Sequence, residues 1–516
     1  MSLDPAKFTP MQAWSPLKAE DWNRDAARHL LHRIGFSATP DRVEQTFKQG
    51  LQKTLEDAYG YVRPFTPPES LAVYTQKRNE LIDAQAMGAV TPAAGPQGKR
   101  VAQAAAAGAV IPPQRQLQME LNQLQQQTFH EFVQSWLAFA AKPENSPQEN
   151  LTMFLANVLV IGQAKVKDPE RIHNHINLLR TSLRQGYPSI IKSVTYSPAM
   201  IQYLDLNTSV AGVPNENYAR EVMELFTLGE GHYTEGDIKE AARALTGIVV
   251  NNEQGFFARR RWDPSVKTIF GKSGNFGADD VVDLIFMQPE ARTHLPKRFL
   301  AFFLSPDALP APYLTELGSQ WARSNFRVDQ LARTVFSSQL FYRPEFRAAL
   351  VKTPIQYYLG LCQDLSLDVS PFENQVYQNL RAMGQEPFNP PNVRGWLGGK
   401  NWINSSTLAA RRQLVQQLFN PFNERNLTAD LQMKLQAARQ AGHGAINMDN
   451  TRLQSLADKS DEEIAKQLLN YYLAGEATDA YQRDILDYMQ NDQGPRVGLV
   501  RDVAVALFQS PAYHLC

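Results

Sequence analysis

"NENYAREVMELFTLGEGHYTEGD", residues Asn215 to Asp237, carries a periodicity that decides how the chain folds. At about 100° per residue, Tyr218, Ala219, Val222, Met223, Leu225 and Phe226 fall on one broad face, the pattern of a helix that buries that face. Asn215 stands where an N-cap belongs and Gly229 just past the C-terminus, so the expected helix runs from Glu216 to Leu228. Its opposite face is a row of Glu216, Arg220 and Glu224, with Asn217 and Glu221 beside it. Exposed pairs at this spacing add only about 0.2–0.5 kcal/mol each, so the row reads first as a solvated face. Glu221 departs from that reading because it lies at the apolar boundary next to Leu225, where partial burial would demand a partner for its charge. The following loop delivers Glu230, His232, Glu235 and Asp237 to the helix end, and Thr234 with Asp237 also makes an ordinary cap for the next helix.

Working outward, helix-start signals dominate. "SPQE" at Ser146, "TPIQ" at Thr353, "SPFE" at Ser370 and "SDEE" at Ser460 each put a hydroxyl three residues before Glu or Gln. In such a box the hydroxyl and the longer side chain satisfy N–H groups that the first helical turn leaves unpaired. "TYSPAMIQYL", "TVFSSQLFY" and "ALFQSPAYHL" share a helix-corner pattern around Ser197, Ser338 and Ser510, at intervals too unequal for a repeat array. The run after Thr246, "GIVVNNEQGFFARRRW", flanks a Gly-containing turn with β-branched and aromatic residues and is the hairpin candidate. The expectation is an all-α fold, an irregular multi-helix domain with one small β-hairpin and a helical C-terminal extension. Its parts are an N-terminal arm (1–20), the main helical domain (21–414) and a C-terminal helical subdomain (415–516). An Ala/Gln/Pro-rich insertion at about 83–115 has too few large apolar residues in its first half to fix itself by burial and is expected to be mobile. Leu117, Leu121 and Leu124 then restore helical spacing.

A chain of 516 residues, 43% hydrophobic, can bury a large core. Its 52 basic and 52 acidic residues cancel, so no whole-molecule field draws it to nucleic acid or an anionic bilayer. Cys362 and Cys516 give no disulfide framework. Nowhere do eighteen apolar residues run together, so no membrane-spanning helix is expected. The start, "MSLDPAKFTPMQAWSPLKAEDWNRD", has the features of neither a Sec nor a twin-arginine signal. A cytoplasmic location is the expectation, with export alongside a signal-bearing companion as the alternative.

Three groups could carry function. "NPPNVRGWLGGKNWIN" stiffens its approach with Pro390 and Pro391 and permits close backbone passage at Gly395, Gly398 and Gly399. It reads either as a binding wall or as an internal plug with two core tryptophans. In the binding reading Trp396 and Trp402 are flat surfaces, Arg394 an anion anchor, and Asn392 and Asn404 hydrogen-bonding groups, with Arg220 of the acidic helix beside them. Glu221, Glu224, His232 and Asp263 form a candidate carboxylate/His hydrolytic set, and Glu221, Asp237 and Asp263 candidate ligands for a divalent metal. "FGKSGNFG" lacks the first glycine of a phosphate loop, and no Gly-x-Ser-x-Gly elbow is present. In "RIHNHINLL", His173 and His175 lie two apart on a helix and point away from each other, so they cannot share an ion. Arg259 and Arg261 of "RRRW" would share a face if extended.

"NENYAREVMELFTLGEGHYTEGDIKEAARALTG", "AARHLLHRIGFSATP", "KTIFGKSGNFGADDVVDLI" and "FNPPNVRGWLGGKNWINSSTL" together resemble the bacterial uncharacterised-domain family 1800 (DUF1800), over roughly His29 to Leu414. The resemblance implies a mostly helical fold and a co-encoded partner from a second family related in sequence to sulfatases and alkaline phosphatases. It assigns no reaction. Where the family typically carries Phe-Trp-His-Asn-His-Phe, this chain has "FLANVL", with Leu155, Ala156 and Val158 in place of the Trp and two His, so that of the Trp-His-Asn-His core only Asn157 is kept. Trp262 stands where the family's Arg-His-Asp has histidine, with Asp263 kept, and Ile248 stands where its Thr-Gly-Trp has tryptophan. Ala, Val and Trp offer neither an imidazole lone pair nor a transferable proton. The expected function is a non-catalytic or degenerate binding or scaffold protein that acts with a co-encoded partner. A metal-assisted hydrolase and a folding or export helper are the alternatives.

Overall fold

A computed structural model describes residues 3, 7–90, 113–251, 253–420, 423–475 and 479–516. Two of the four expected boxes close reciprocally, Thr353 with Gln356 at the helix Pro354–Asp364 and Ser460 with Glu463 at Asp461–Tyr472. Ser146 is instead the first residue of the helix Ser146–Val158, and its hydroxyl donates back to the carbonyls of Ala140 and Lys142. At Ser370 the helix starts only at Glu373, and the serine oxygen accepts the Phe372 N–H. The motif marks both turns correctly; the tertiary environment decides which donor the hydroxyl meets.

The protein is mostly helical, as expected, with the β-hairpin in its expected place: Ile248–Asn251 pairs antiparallel with Gln254–Phe257. A second two-stranded pair, Lys267–Ile269 with Lys272–Gly274, was not anticipated. It absorbs "FGKSGNFG", whose Gly271 takes φ +72° at the turn. Arg259–Arg261 is a short 3-10 turn rather than an extended strand, so its arginines do not form the common face that extension would give.

One continuous apolar core draws on residues from Leu3 to Tyr513. Ser146–Val158 runs through it, with residues 146–155 all buried. The buried Glu149 carboxylate pairs with Arg180 at 2.8 Å and accepts the Trp136 indole N–H at 2.7 Å, so its charge is compensated. The N-terminal arm is stitched to this body: Trp14 Nε1 donates to Tyr313 O at 2.7 Å and Leu17 N to Ser337 O at 2.7 Å. The end of the chain also returns to the core, where Lys352 N donates to His514 O at 2.8 Å and Cys516 N to Leu350 O at 2.8 Å. Glu69–Val90 and Pro113–Ala140 pack on each other through Tyr74, Leu81 and Leu121, with Leu117 and Leu124 against them. The central part of the expected insertion, residues 91–112, lies outside the described residues. Among the described residues no helix is long and apolar enough to cross a membrane.

His175 is a fully satisfied core histidine, bonded to Ser197 Oγ and Leu159 O at 3.0 Å each, while half-buried His173 rests against Phe65 and Phe132. The two rings diverge as helix geometry requires.

Candidate functional site

The six apolar residues of the acidic helix are buried, as their spacing demands. Asn215 caps its start by accepting the Asn217 N–H at 2.9 Å. The hydrogen-bond pitch, however, changes midway. Glu216–Glu221 is α-helical and Val222–Thr227 is a wider π turn. Leu228 N and Gly229 N both reach Met223 O, at 2.8 and 3.2 Å. An α-helix would give the Gly229 N–H to Leu225 O. That carbonyl is met instead by His294 Nε2 at 2.9 Å and Arg298 Nη1 at 3.1 Å, from the helix His294–Phe303. Gly229 takes φ +91°, and a Cβ there would lie 3.1 Å from His294 Nδ1. π turns inside helices recur at functional sites.

Arg298 reaches further, donating to Asn157 O at 2.8 Å. Asn157, near the end of Ser146–Val158, holds the loop after Pro391 by a double clasp. Its Oδ1 accepts Trp396 N at 2.7 Å and its Nδ2 donates to Trp396 O at 3.2 Å. Gly395 is required for this approach: its φ is +80°, and a Cβ would lie 2.6 Å from the Asn157 carbonyl oxygen. Arg394 then turns outward to Glu230 at 2.8 Å and Glu224 at 3.3 Å, and Glu224 also accepts the Tyr233 hydroxyl at 2.6 Å. Burial and that bond raise the Tyr233 pKa. Half-buried Glu221 makes no hydrogen bond among the described residues. Burial, and then the Glu224 charge, raise its pKa, while Arg394 and Arg220 oppose them.

Helix end, clasp and loop enclose a cavity of about 440 Å³. Ala156, Asn157 and Val158 line it on one side, Arg298 and Phe302 on another, and Arg394 to Trp402 close it. The loop is both wall and plug: Trp402 is buried at 5% exposure, whereas Leu397 at its tip is 79% exposed. The Trp402 indole N–H lies 3.9 Å from the Cβ position of Gly398 and finds no acceptor among the described residues.

The sequence candidates separate in space. Arg394, Trp396 and Trp402 form the cavity wall. Asn392 accepts the Arg394 N–H at 2.9 Å within the loop, and Asn404 caps Ser405–Phe419. Arg220 directs its guanidinium to Glu235, with two bonds of 2.8 Å, and to Glu216 at 3.4 Å. Asp237 closes the Thr234 box and accepts Phe270 N at 2.7 Å; burial would raise its pKa, but these bonds hold it below the usual range. Asp263 is held by Ser265 and by Arg243 Nε at 2.8 Å, which lower its pKa and pin the turn before the second hairpin to the helix Glu235–Ala244. His232 is exposed, its Nδ1 3.7 Å from Glu290. Among the described residues no three His, Cys, Asp or Glu side chains gather as a metal set. Asn157 was visible in the sequence only as a kept residue among replaced ones. Arg298 is not among the sequence candidates, because nothing local signals its partners, the Leu225 and Asn157 carbonyls.

These features define a class: a helical protein with an apolar cavity closed by a clasped Gly/Trp/Arg loop. The family model described as "Protein of unknown function (DUF1800)" matches residues 29–515, and the chain belongs to that family. The match extends through the C-terminal helices, beyond the segments whose motifs carried the resemblance. No curated protein and no solved structure matches the chain.

Proposed function

We propose that this protein acts by binding, presenting the Arg394–Trp402 loop together with the acidic helix to a partner. The carrying observation is a rigidly held loop with an exposed tip: Asn157 grips Trp396 on both backbone polar groups while Leu397 stays 79% exposed. A preorganised apolar tip flanked by charge is the arrangement that makes recognition hot spots, because little ordering entropy remains to be lost. The positions where the family resemblance implies two imidazoles, Ala156 and Val158, line the cavity beside Asn157 and can neither ligate a metal nor move a proton. This supports a site that retains a binding shape with altered chemistry. The partner implied by resemblance is a co-encoded sulfatase- or phosphatase-like protein. Co-expression with the adjacent gene product tests the reading. Capture at micromolar concentration is expected, weakened about tenfold by Leu397→Asp without loss of thermal stability; no association of the intact pair overturns it.

A second reading rests on Glu221, whose half-buried carboxylate has no hydrogen-bond partner among the described residues and a raised pKa beside Glu224 and Arg394. Carboxylates held this way serve as general acids or bases, which favours a hydrolase. Turnover that vanishes in Glu221→Gln, together with stoichiometric metal in the purified protein, would establish the metal-assisted form. A folding or export role would instead leave the partner's secretion dependent on this chain and independent of Glu221.

A further inference from the structure

The charge lining the cavity is one-sided. Arg298, Arg394 and Lys400 contribute to its wall, and no Asp or Glu does among the described residues. Arg394 is neutralised from outside by Glu224 and Glu230. The other two cations have no carboxylate partner among the described residues, and Arg298 directs its bonds to neutral carbonyls. A half-buried guanidinium facing only carbonyls retains its full charge where solvent screens it weakly. Trp402 adds a buried donor without an acceptor to the same wall. Phe154, Phe302, Ile355 and Phe388 give the rest of the lining a largely apolar surface. Neutral Asn157, Thr353, Gln356, Gln385 and Asn401 interrupt it.

From this juxtaposition we infer that the cavity binds a small amphipathic carboxylate, its apolar body among the phenylalanines and its anionic end toward Lys400 and Arg298. A volume of about 440 Å³ lies within the ~300–1,000 Å³ typical of small-molecule sites. The apolar lining supplies the affinity by removing hydrocarbon from water, and the unpaired cations select the charge of the ligand. The assignment deepens the binding reading, placing a small ligand directly behind the loop that meets the partner.

Decanoate, decanol and decylammonium make a matched set of probes, followed by tryptophan fluorescence because Trp136, Trp396 and Trp402 line the cavity. Decanoate is expected to bind about tenfold tighter than decanol, with decylammonium the weakest. Lys400→Glu, at an exposed position, should remove the preference for decanoate while leaving decanol affinity unchanged. Ala156→Phe should block all three, with native helicity verified by circular dichroism. Equal affinity for decanoate and decanol overturns the assignment, as does undiminished binding by a folded Ala156→Phe variant. If partner capture succeeds while decanoate fails to bind, only the ligand assignment falls; if decanoate binds and no partner is captured, the ligand site stands and the partner reading falls.

Discussion

At the residue scale, Gly395 and Asn157 set the site. The close approach at Gly395 admits no Cβ, and its positive φ is strained for any L side chain. Gly395→Ala is therefore expected to destabilise the fold by more than about 1 kcal/mol, read as a lowered urea midpoint, and to raise the amide exchange of Trp396. This clasp was illegible in the sequence because its partners lie 239 positions apart, and neither residue has a local pattern that names the other. The loop itself was legible: three glycines, two tryptophans and an arginine in one short span advertise a wall, though whether it plugs or binds depends on what faces it. The candidates Asp237 and Asp263 illustrate the opposite limit. Both look available in the sequence, yet Asp237 is held by a helix cap and the Phe270 N–H, and Asp263 by Arg243 and Ser265.

At the scale of elements, side-chain periodicity identified the buried face of the acidic helix without revealing its pitch. Burial depends on which residues share a face, and that survives a change from α to π. The pitch depends on who satisfies Leu225 O, and those donors belong to a helix about seventy residues further on. Arg298 ties that carbonyl to Asn157 O, so it couples the π turn to the clasped loop. Arg298→Met should take from Asn157 O its guanidinium donor, at about 1–3 kcal/mol for a buried group left unpaired, and leave Leu225 O with His294 alone. Hydrogen exchange should then show loosening in both the Val222–Thr227 turn and the loop. Loosening of one without the other would separate the two elements.

For the whole molecule, the buried imidazoles make stability depend on acid. Burial pushes His175 down to about 4, and burial with the nearby Arg411 and Lys352 charges pushes His514 down to about 3. Each binds its proton less readily in the folded state than in the unfolded chain, whose histidines titrate near pH 6.5. Their contribution is therefore fully present above about pH 6.5 and is lost as pH falls toward the folded values, roughly 2 kcal/mol each by pH 5. Asp364 acts the other way. Burial raises it to about 6 against the pull of Lys352, so its contribution is present below the ordinary carboxylate range and lost as pH rises through 6. Between pH 7 and 5 it returns about 1.3 kcal/mol. The net expectation is a loss of about 2–3 kcal/mol from pH 7 to pH 5, and His29 and His32, both pushed down by burial, add in the same direction. Urea midpoints at the two pH values check this; equal midpoints would contradict it.

The π turn also works as a phase shifter. A helix that accommodates one surplus residue delays everything downstream by about 100° of rotation, and here the chain leaves the turn so that Glu230 and Tyr233 converge with Glu224 on the Arg394 latch. Splicing a single residue out of Val222–Thr227 would let ordinary winding resume, swing that whole cluster away from Arg394, and leave the loop to the Asn157 clasp alone.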